Sequence, residues 1–290
     1  MKPSSFDYVK PASRAEALNL LAEDPDESKI LSGGQSLVPM LNFRLARPGR
    51  LIDINAVPDL SGMRVAGDRL NIAARTRHIE VQNHRGSDTL ARLLRTAAAH
   101  VGHLPIRTRG TFGGSLAHSD AASEWCLIAR LLDAEMTVES TRGTRMIPAE
   151  DFFLSIFTTA LEPDELLVNV SLPLLGPDHQ AGFAEFARRA GDFAIVAVTT
   201  DVAVADGTVN SAHVCIGGVS DTPFRSAAAE QVLIGQPWDT ETGTDDLIRE
   251  AAAAAAAEVS PPSDSHGDAQ YRRDLVRALF TRSIAQGIHS

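Results

Sequence analysis

The chain has 290 residues, which is long enough for more than one compact domain with its own core. Hydrophobic residues make up 44% of it and charged residues 22%, so a wholly disordered chain and a fibrous repeat are both excluded. The formal net charge of −10 disfavours general binding to nucleic acid or anionic lipid, although a local basic patch can still hold a phosphate.

The two cysteines, Cys126 and Cys215, follow no metal-binding spacing. They predict buried thiols in a reducing compartment, not a disulfide framework or a Cys-ligated zinc or iron–sulfur site. The N-terminal residues lack the apolar core of a signal peptide, and no stretch approaches the roughly 20 apolar residues of a membrane span. We therefore expect a cytoplasmic protein without a membrane span.

Apolar spacing and turn residues predict alternating helices and strands in the first part of the chain. The predicted elements are a helix over 13–21, a strand over 29–31, a helix over 37–45, strands over 51–54 and 70–74, helices over 87–101 and 124–132, and strands over 136–139 and 166–172. One glycine pair follows the strand 29–31, and a second pair precedes the helix 124–132.

A linker is predicted over 174–179, because Pro173 closes the preceding strand and turn residues follow it. Later elements are two β runs over 193–204 and 211–219 joined at the turn dipeptide Asp206-Gly207, a helix on the alanine run 251–257, an interruption over 261–268 and a final helix over 270–286. This order predicts an α+β protein with at least two domains.

The two glycine pairs are the main functional signal. Each is expected to expose successive backbone N–H groups at or near a helix start, where the helix dipole helps them to hold a phosphate. Hydroxyl groups of Ser36, Thr111 and Ser115 would add donors, so the two pairs predict a pyrophosphate held from both sides and a dinucleotide ligand. Neither pair matches the Rossmann fingerprint or the P-loop, and an isolated glycine pair is also typical of a turn that serves only the fold.

The residues around both pairs resemble those of a known family. The matching blocks are Ser-Gly-Gly-Gln-Ser-Leu-Val-Pro over 32–39 with the residues 40–48 that follow it, Leu-Ile-Asp-Ile-Asn over 51–55, Ile-Arg-Thr-Arg-Gly-Thr-Phe-Gly-Gly-Ser-Leu-Ala-His-Ser-Asp over 106–120, and shorter segments at 151–153, 159–161, 165–167, 187–194, 217–219 and 271–272. Together they resemble the FAD-binding medium subunit of the molybdenum hydroxylases, the family of xanthine dehydrogenase and aerobic carbon monoxide dehydrogenase. The resemblance covers nearly the whole chain.

The resemblance implies an FAD-binding fold of the vanillyl-alcohol-oxidase (PCMH) type over residues 1–175, with subdomains of about 1–57 and 58–175. Residues 176–290 would form a smaller α+β domain like the C-terminal domain of the carbon monoxide dehydrogenase flavoprotein. The implied cofactor is FAD, and no metal site or catalytic side chain is predicted.

Site residues follow from the resemblance position by position. The residues whose backbone would hold the FAD pyrophosphate are Ser32, Gly33, Gly34, Gln35, Ser36, Leu37, Thr111, Gly113, Gly114 and Ser115. Glu124 would bind the adenosine part, although an acidic residue at a helix N-terminus also explains it. Leu167 and Val101 would lie beside the flavin, with core packing an equal explanation for Val101. Asp192 and Phe193 would reach the isoalloxazine ring.

Polar residues near the glycine pairs leave alternatives open. His100, His103 and His118 lack the spacing of a metal-binding face, and His118 is interpreted as a polar residue near the cofactor. Four arginines border the flavin motifs and would face a phosphate, a redox partner or solvent: Arg44, Arg47, Arg107 and Arg109.

The resemblance implies an electron-transfer role. The chain would take electrons from two [2Fe–2S] clusters in a small partner subunit and pass them to an external acceptor, while a molybdopterin-containing large subunit hydroxylates the substrate. The resemblance also implies assembly as a dimer of heterotrimers, which is usual in this family. Two scattered cysteines cannot ligate a four-cysteine cluster, which agrees with clusters on another chain.

Two alternative functions remain at this point. One is a stand-alone FAD-dependent oxidoreductase of the same fold, disfavoured because no histidine or cysteine stands where such enzymes attach flavin covalently. The other is a binding or assembly protein that has lost the flavin, against which the intact glycine pairs argue. The substrate and the acceptor, whether NAD, quinone, cytochrome or oxygen, are not predicted.

Overall fold

The computed structural model describes residues 2–239 and 244–289. The elements up to residue 53 are β1 (Asp7–Val9), α1 (Arg14–Glu23), β2 (Ser28–Leu31), α2 (Leu37–Asn42) and β3 (Arg50–Asp53). The three strands form a parallel sheet in the order β1-β3-β2, and α1 packs on it. Because parallel strands end at the same edge, the residues that follow β2 and β3 lie side by side.

A second group of elements extends from residue 63 to residue 173. These are β4 (Met63–Ala66), β5 (Arg69–Ala73), α3 (His78–Gln82), α4 (Thr89–His100), α5 (Leu104–Arg107), α6 (Phe112–His118), α7 (Glu124–Leu131), β6 (Glu135–Ser140), β7 (Gly143–Pro148), α8 (Ala149–Phe152), β8 (Phe153–Ser155), β9 (Thr158–Thr159) and β10 (Leu166–Pro173). Five of the strands form an antiparallel sheet in the order β4-β5-β10-β6-β7.

The core of this second group lies between the five-stranded sheet and helices α4, α6 and α7. The apolar residues of α4 recur at helical spacing, and Leu90, Leu93 and Leu94 are all buried. Trp125 on α7 is fully buried and packs against Phe112, with ring centroids 4.9 Å apart. The first turn of α6, which carries the second glycine pair, is therefore anchored in the core.

The remaining elements form a third unit. They are β11 (His179–Phe186), β12 (Val196–Ala205), β13 (Thr208–Gly217), β14 (Phe224–Arg225), α9 (Ala227–Leu233), α10 (Asp245–Glu258) and α11 (Ala269–Ile288). The strands form an antiparallel sheet in chain order, and α11 packs on β11 and β12. The predicted turn joins β12 and β13, with Asp206 at φ +50° and Gly207 at φ +70°, the conformation of a type I′ hairpin.

Several predicted elements differ from the structure at their ends, and two of these differences have a clear reason. The helix predicted over 37–45 ends at Asn42, because Arg44 takes a positive φ of +59° that cannot continue an α-helix. The β run predicted over 193–204 begins only at Val196, since the residues before it form the loop after β11. The predicted boundaries at 57/58 and 175/176 stay predictions.

We expect the ion pair between His179 and Asp201 to make stability depend on pH. Asp201 is buried and its two carboxylate oxygens lie 2.9 and 3.0 Å from Nδ1 of His179, which raises the pKa of the imidazole above its usual 6.5. A raised folded-state pKa stabilises the fold fully below pH 6.5 and loses that effect as pH rises through the folded value. Urea unfolding should show a loss of about 1 kcal/mol across this window, and Asp201→Asn should remove the dependence. An unchanged pH profile in that variant would contradict the assignment.

Candidate functional site

The structure brings the two glycine pairs together although they are far apart in the chain. The first segment, residues 32–37 after β2, lies against the second segment, residues 109–115 at the start of α6. The hydroxyl oxygens of Ser32 and Thr111 are 3.0 Å apart. Thr111 caps α6 by accepting a hydrogen bond from the Gly114 N–H. The predicted convergence of the two segments is therefore present in the fold.

The first glycine pair is required by close packing. A Cβ on Gly33 would lie 2.6 Å from the carbonyl oxygen of Arg109 and 2.6 Å from the Cα of Gly110, which are both backbone atoms. Gly34 takes a φ of +72°, in the left-handed region that favours glycine. Only glycine at these two positions lets the first segment turn sharply and touch the second.

The first segment also carries unpaired backbone donors. Within the described residues, the amides of Gly33, Gly34, Gln35 and Ser36 have no hydrogen-bond acceptor. Ser36 precedes α2 and its side chain makes no capping bond. Because buried or half-buried N–H groups are rarely left without an acceptor, this row of donors is suited to an anionic ligand.

The second glycine pair does not expose successive amides, contrary to the expectation for both pairs. The N–H groups of Phe112 and Gly113 donate to the carbonyls of Thr76 and Ala74 at 2.8 Å, and those of Gly114 and Ser115 donate to Thr111. A Cβ on Gly113 would lie 2.5 Å from that of Ala74, so this glycine lets α6 pack on the chain beside β5. Within the described residues, the second glycine pair therefore presents no row of free amides.

A cleft of about 450 Å³ opens beside the first segment. The residues lining it are Leu31, Ser32, Gly33, Gly34, Gln35, Val38, Pro39, Asp53, Asn55 and Arg109. Among residues 2–239 and 244–289, the guanidinium of Arg109 has no hydrogen-bond or ion-pair partner. Guanidinium and amide N–H groups only donate, so their combination on one cleft suits a phosphate.

The other three arginines that border the motifs have partners elsewhere. Arg107 uses its Nη1 to bind the carbonyls of Val101 and Gly102 at 3.1 and 2.8 Å, which closes the end of α4. The Nε atoms of Arg44 and Arg47 bind backbone carbonyls near the N-terminus and α2. Arg109 alone of the four lines the first cleft.

Glu124 is the first residue of α7, and its carboxyl lies in an unusual environment. Burial, and next the nearby carboxylate of Glu185, raise the pKa of Glu124 to about 8. The group is therefore mostly neutral at pH 7, which argues against the alternative that it serves as a charge for the helix dipole. A neutral carboxyl both donates and accepts a hydrogen bond.

Of the residues predicted beside the flavin, two lie in the buried core and two lie in an exposed loop. Val101 follows α4 and Leu167 lies on β10, and both are buried in the main core, so packing explains each of them without a ligand. Asp192 and Phe193 lie in the loop after β11, where Phe193 is 66% exposed. An aromatic ring that exposed is available to a ligand or a partner.

A second cleft of about 400 Å³ separates that loop from the segment after α4. It is lined by His100, Gly102, His103, Arg107, Glu185 and Arg189, among others. Nδ1 of His100 lies 3.2 Å from the Oε1 carboxylate oxygen of Glu185. The chain between 104 and 109 contributes to both clefts, since Arg107 lines the second and Arg109 the first.

His118 lies at the end of α6 and stacks on Phe157, with ring centroids 4.7 Å apart. Burial lowers the pKa of its imidazole, so the ring is neutral at pH 7. It does not line either cleft.

Comparison with protein families identifies both parts of the chain. Residues 4–175 match the FAD binding domain in molybdopterin dehydrogenase, and residues 181–286 match the CO dehydrogenase flavoprotein C-terminal domain. The chain belongs to the FAD-binding medium subunits of the molybdenum hydroxylases. FAD is the cofactor of this medium subunit, and the predicted α+β class with its two domain types is confirmed.

Known medium subunits are similar along their whole length. The chain is 41% identical to the 6-hydroxypseudooxynicotine dehydrogenase complex subunit alpha of Paenarthrobacter nicotinovorans, over 100% of this chain and 96% of that protein. It is 37% identical to the nicotine 6-hydroxylase medium subunit of the same organism, over 99% of this chain and 98% of that one. A solved carbon monoxide dehydrogenase from Hydrogenophaga pseudoflava superposes with a TM-score of 0.93 at 31% identity, covering 99% and 98% of the two chains.

These similarities also establish the class of activity. Relatives of this medium subunit are named as dehydrogenase subunits, so the chain is a subunit of an oxidoreductase that contains more than one kind of chain. Within residues 2–239 and 244–289, no helix combines the length and the apolar character that crossing a membrane requires.

Sequence reasoning missed two residues that hold the first segment in place. Asn55 follows β3 and donates from Nδ2 to the carbonyl of Ser32 at 2.9 Å, and Arg77 binds both Asn55 and the carbonyl of Arg109. Asn55 belongs to one of the matching blocks, but nothing in the sequence of that block indicates this contact. Arg77 lies outside every motif of the medium subunit quoted above, so only the fold reveals it.

Proposed function

We propose that this medium subunit transfers electrons within a heteromeric molybdenum hydroxylase in the cytoplasm. It would take them from two [2Fe–2S] clusters of a small subunit and pass them to an external acceptor, while a molybdopterin-containing large subunit hydroxylates the substrate. The observation that carries the proposal is a set of donors on one cleft: among the residues that the structure describes, the amides from Gly33 to Ser36 have no acceptor and the Arg109 guanidinium has no partner. Such a donor set supports a bound pyrophosphate.

The chain's own residues would bind and orient the cofactor. The pyrophosphate would lie between the segment from Ser32 to Leu37 and the start of α6, where Gly113 and Gly114 form the turn between Thr111 and Ser115. Arg109 would balance its charge. When bound, FAD exchanges electrons singly or in pairs, which suits a position between one-electron clusters and a two-electron acceptor.

The remaining predicted contacts would be made to the adenosine part and to the flavin ring of FAD. Glu124 would hydrogen-bond the adenosine part, and its neutral form supplies both a donor and an acceptor. Leu167, Val101, Asp192 and Phe193 would surround the flavin ring, where the exposed ring of Phe193 is free to stack on it.

The identity of the relatives suggests which substrate to assay first. Two of them, at 41% and 37% identity, carry the names of 6-hydroxypseudooxynicotine and nicotine enzymes. We propose that the complete enzyme oxidises a nitrogen heterocycle or a closely related amine. The two buried cysteines cannot supply a four-cysteine cluster, so the iron and molybdenum would reside on partner chains arranged as a dimer of heterotrimers.

Purification of the tagged chain from its native host tests this proposal. We expect two further chains to copurify, with iron and molybdenum in the complex and one releasable FAD per medium subunit. Substrate should bleach the flavin absorbance of the complex but not that of the medium subunit alone. Substrate turnover by the isolated chain would instead support a stand-alone oxidoreductase, and a colourless chain that takes up no FAD would support an assembly protein.

A further inference from the structure

A hydrogen-bond network joins the two segments of the proposed pyrophosphate site. Its first part is Asn55, whose side-chain nitrogen donates 2.9 Å to the carbonyl of Ser32. Asp53 holds Asn55 in turn, because its Oδ1 accepts from the backbone N–H of Asn55 at 2.9 Å and from Nδ2 at 2.6 Å. Asp53 is itself buried and accepts the hydroxyl of Tyr8. The first segment is thus tied to the end of β3.

The second part is Arg77, which precedes α3 and reaches both segments. One terminal nitrogen of its guanidinium donates to the side-chain oxygen of Asn55, and the other donates to the backbone carbonyl of Arg109. The backbone of Arg77 is fixed as well, since its N–H donates to Glu80 at 2.8 Å. A planar guanidinium with both ends bound holds its partners at a defined separation.

The carbonyl of Arg109 is the point where this network meets the packing of the glycine pair. A Cβ on Gly33 would come within 2.6 Å of that oxygen, so the first segment touches the atom that Arg77 binds. A change in the position of this carbonyl therefore alters both the placement of Gly33 and the direction in which the Arg109 side chain leaves the backbone. Arg77 itself does not line the cleft.

We propose that Arg77, acting through Asn55 and the Arg109 carbonyl, is a positioning residue that sets the separation of the two segments and hence the affinity for the pyrophosphate of FAD. This inference rests on the proposed location of the pyrophosphate. Amide donors bind a phosphate well only when they converge on its oxygens at hydrogen-bond distance, and a segment free to move loses that convergence.

Equilibrium binding to the full-length apo chain tests the inference, with FAD, ADP and riboflavin as separate probes. We expect Arg77→Gln to weaken FAD and ADP binding by about 10-fold or more, the loss typical of hydrogen bonds made by a charged group, and to leave riboflavin binding unchanged. Arg77→Lys should recover part of the affinity, because it restores the charge and one of the two contacts.

The matched control is Arg95→Gln, since Arg95 also uses its guanidinium to bind two backbone carbonyls, those of His84 and Gly86, but lies on neither cleft. This variant should bind all three probes as the wild type does. The phosphorus NMR signals of bound ADP should shift in Arg77→Gln and not in Arg95→Gln. Asn55→Ala combined with Arg77→Gln should bind ADP no more weakly than the weaker single variant, because the two residues act in one network.

Three results would overturn the inference. Unchanged ADP affinity in Arg77→Gln would show that the network does not position the site. Equal losses for ADP and riboflavin would indicate a general structural effect, and fully additive losses in the double variant would separate Arg77 from Asn55. Wild-type protein that binds riboflavin but not ADP would instead contradict the proposed location of the pyrophosphate.

Discussion

Gly33→Ala is expected to lower the affinity of the apo chain for FAD by about 100-fold, at the upper end of what overpacking costs. The added Cβ would lie 2.6 Å from two backbone atoms of residues 109 and 110, which cannot rotate away as a side chain can. The first segment must then move outward, so its four unpaired amides no longer converge on a pyrophosphate. Isothermal titration of the apo chain with FAD measures the effect directly.

Gly49→Ala is the matched control for this prediction. The three atoms nearest to a Cβ at Gly49 would all belong to the side chain of Glu27, whose closest atom lies 2.9 Å away and can rotate, and Gly49 does not line the cleft. FAD affinity should therefore stay at the wild-type value in Gly49→Ala. The two-segment site would be refuted by an FAD affinity in Gly33→Ala within a few-fold of the wild type, provided that the variant unfolds in denaturant at the wild-type midpoint.

Glu124→Gln is expected to stabilise the folded chain at alkaline pH. The folded pKa of Glu124 is about 8, well above its usual value of 4.5, so between these values the folded state binds a proton that the unfolded state has released. Stability therefore falls as pH rises through this window, by up to ~1.4 kcal/mol per unit. Because glutamine resembles the neutral acid, the variant should lack this slope and be more stable at pH 8 by on the order of 4 kcal/mol.

Denaturant unfolding of the apo chain at several pH values between 5 and 8.5 measures this difference. Glu250→Gln is the control, since it removes a carboxyl from the exposed side of α10. FAD affinity at pH 7 should also survive in Glu124→Gln, because a carboxamide both donates and accepts as the neutral acid does. Parallel pH profiles for the wild type and Glu124→Gln would show that the carboxyl is ionised in the fold.

Local sequence determined about half of the elements, including the longest helix. The regular spacing of leucine and alanine in α4 predicts that helix nearly to its ends, and Asp206-Gly207 predicts the turn between β12 and β13, because periodicity and positive φ are properties of a few neighbouring residues. The same holds for the family, since the two glycine blocks are contiguous and specific. FAD as the cofactor followed from them.

Contacts between segments that are far apart in the chain could not be predicted from local sequence. The glycine pairs look alike in sequence, yet Ala74 and Thr111 accept from the amides of the second pair, and no described residue accepts from those of the first. Arg107 and Arg109 also look equivalent, but the end of α4 occupies one guanidinium and leaves the other on the cleft. Each difference depends on what another segment places nearby.

The sequence by itself thus determined the family, the cofactor, the α+β class and the segments that carry the proposed site, because these are written in short contiguous patterns. Only the tertiary structure decided which amides stay unpaired, that Glu185 and burial keep Glu124 neutral, and that Arg77 joins the two segments. The physical reason is that hydrogen-bond pairing and the pKa of a carboxyl depend on three-dimensional neighbours, and those neighbours lie tens of residues away in the chain.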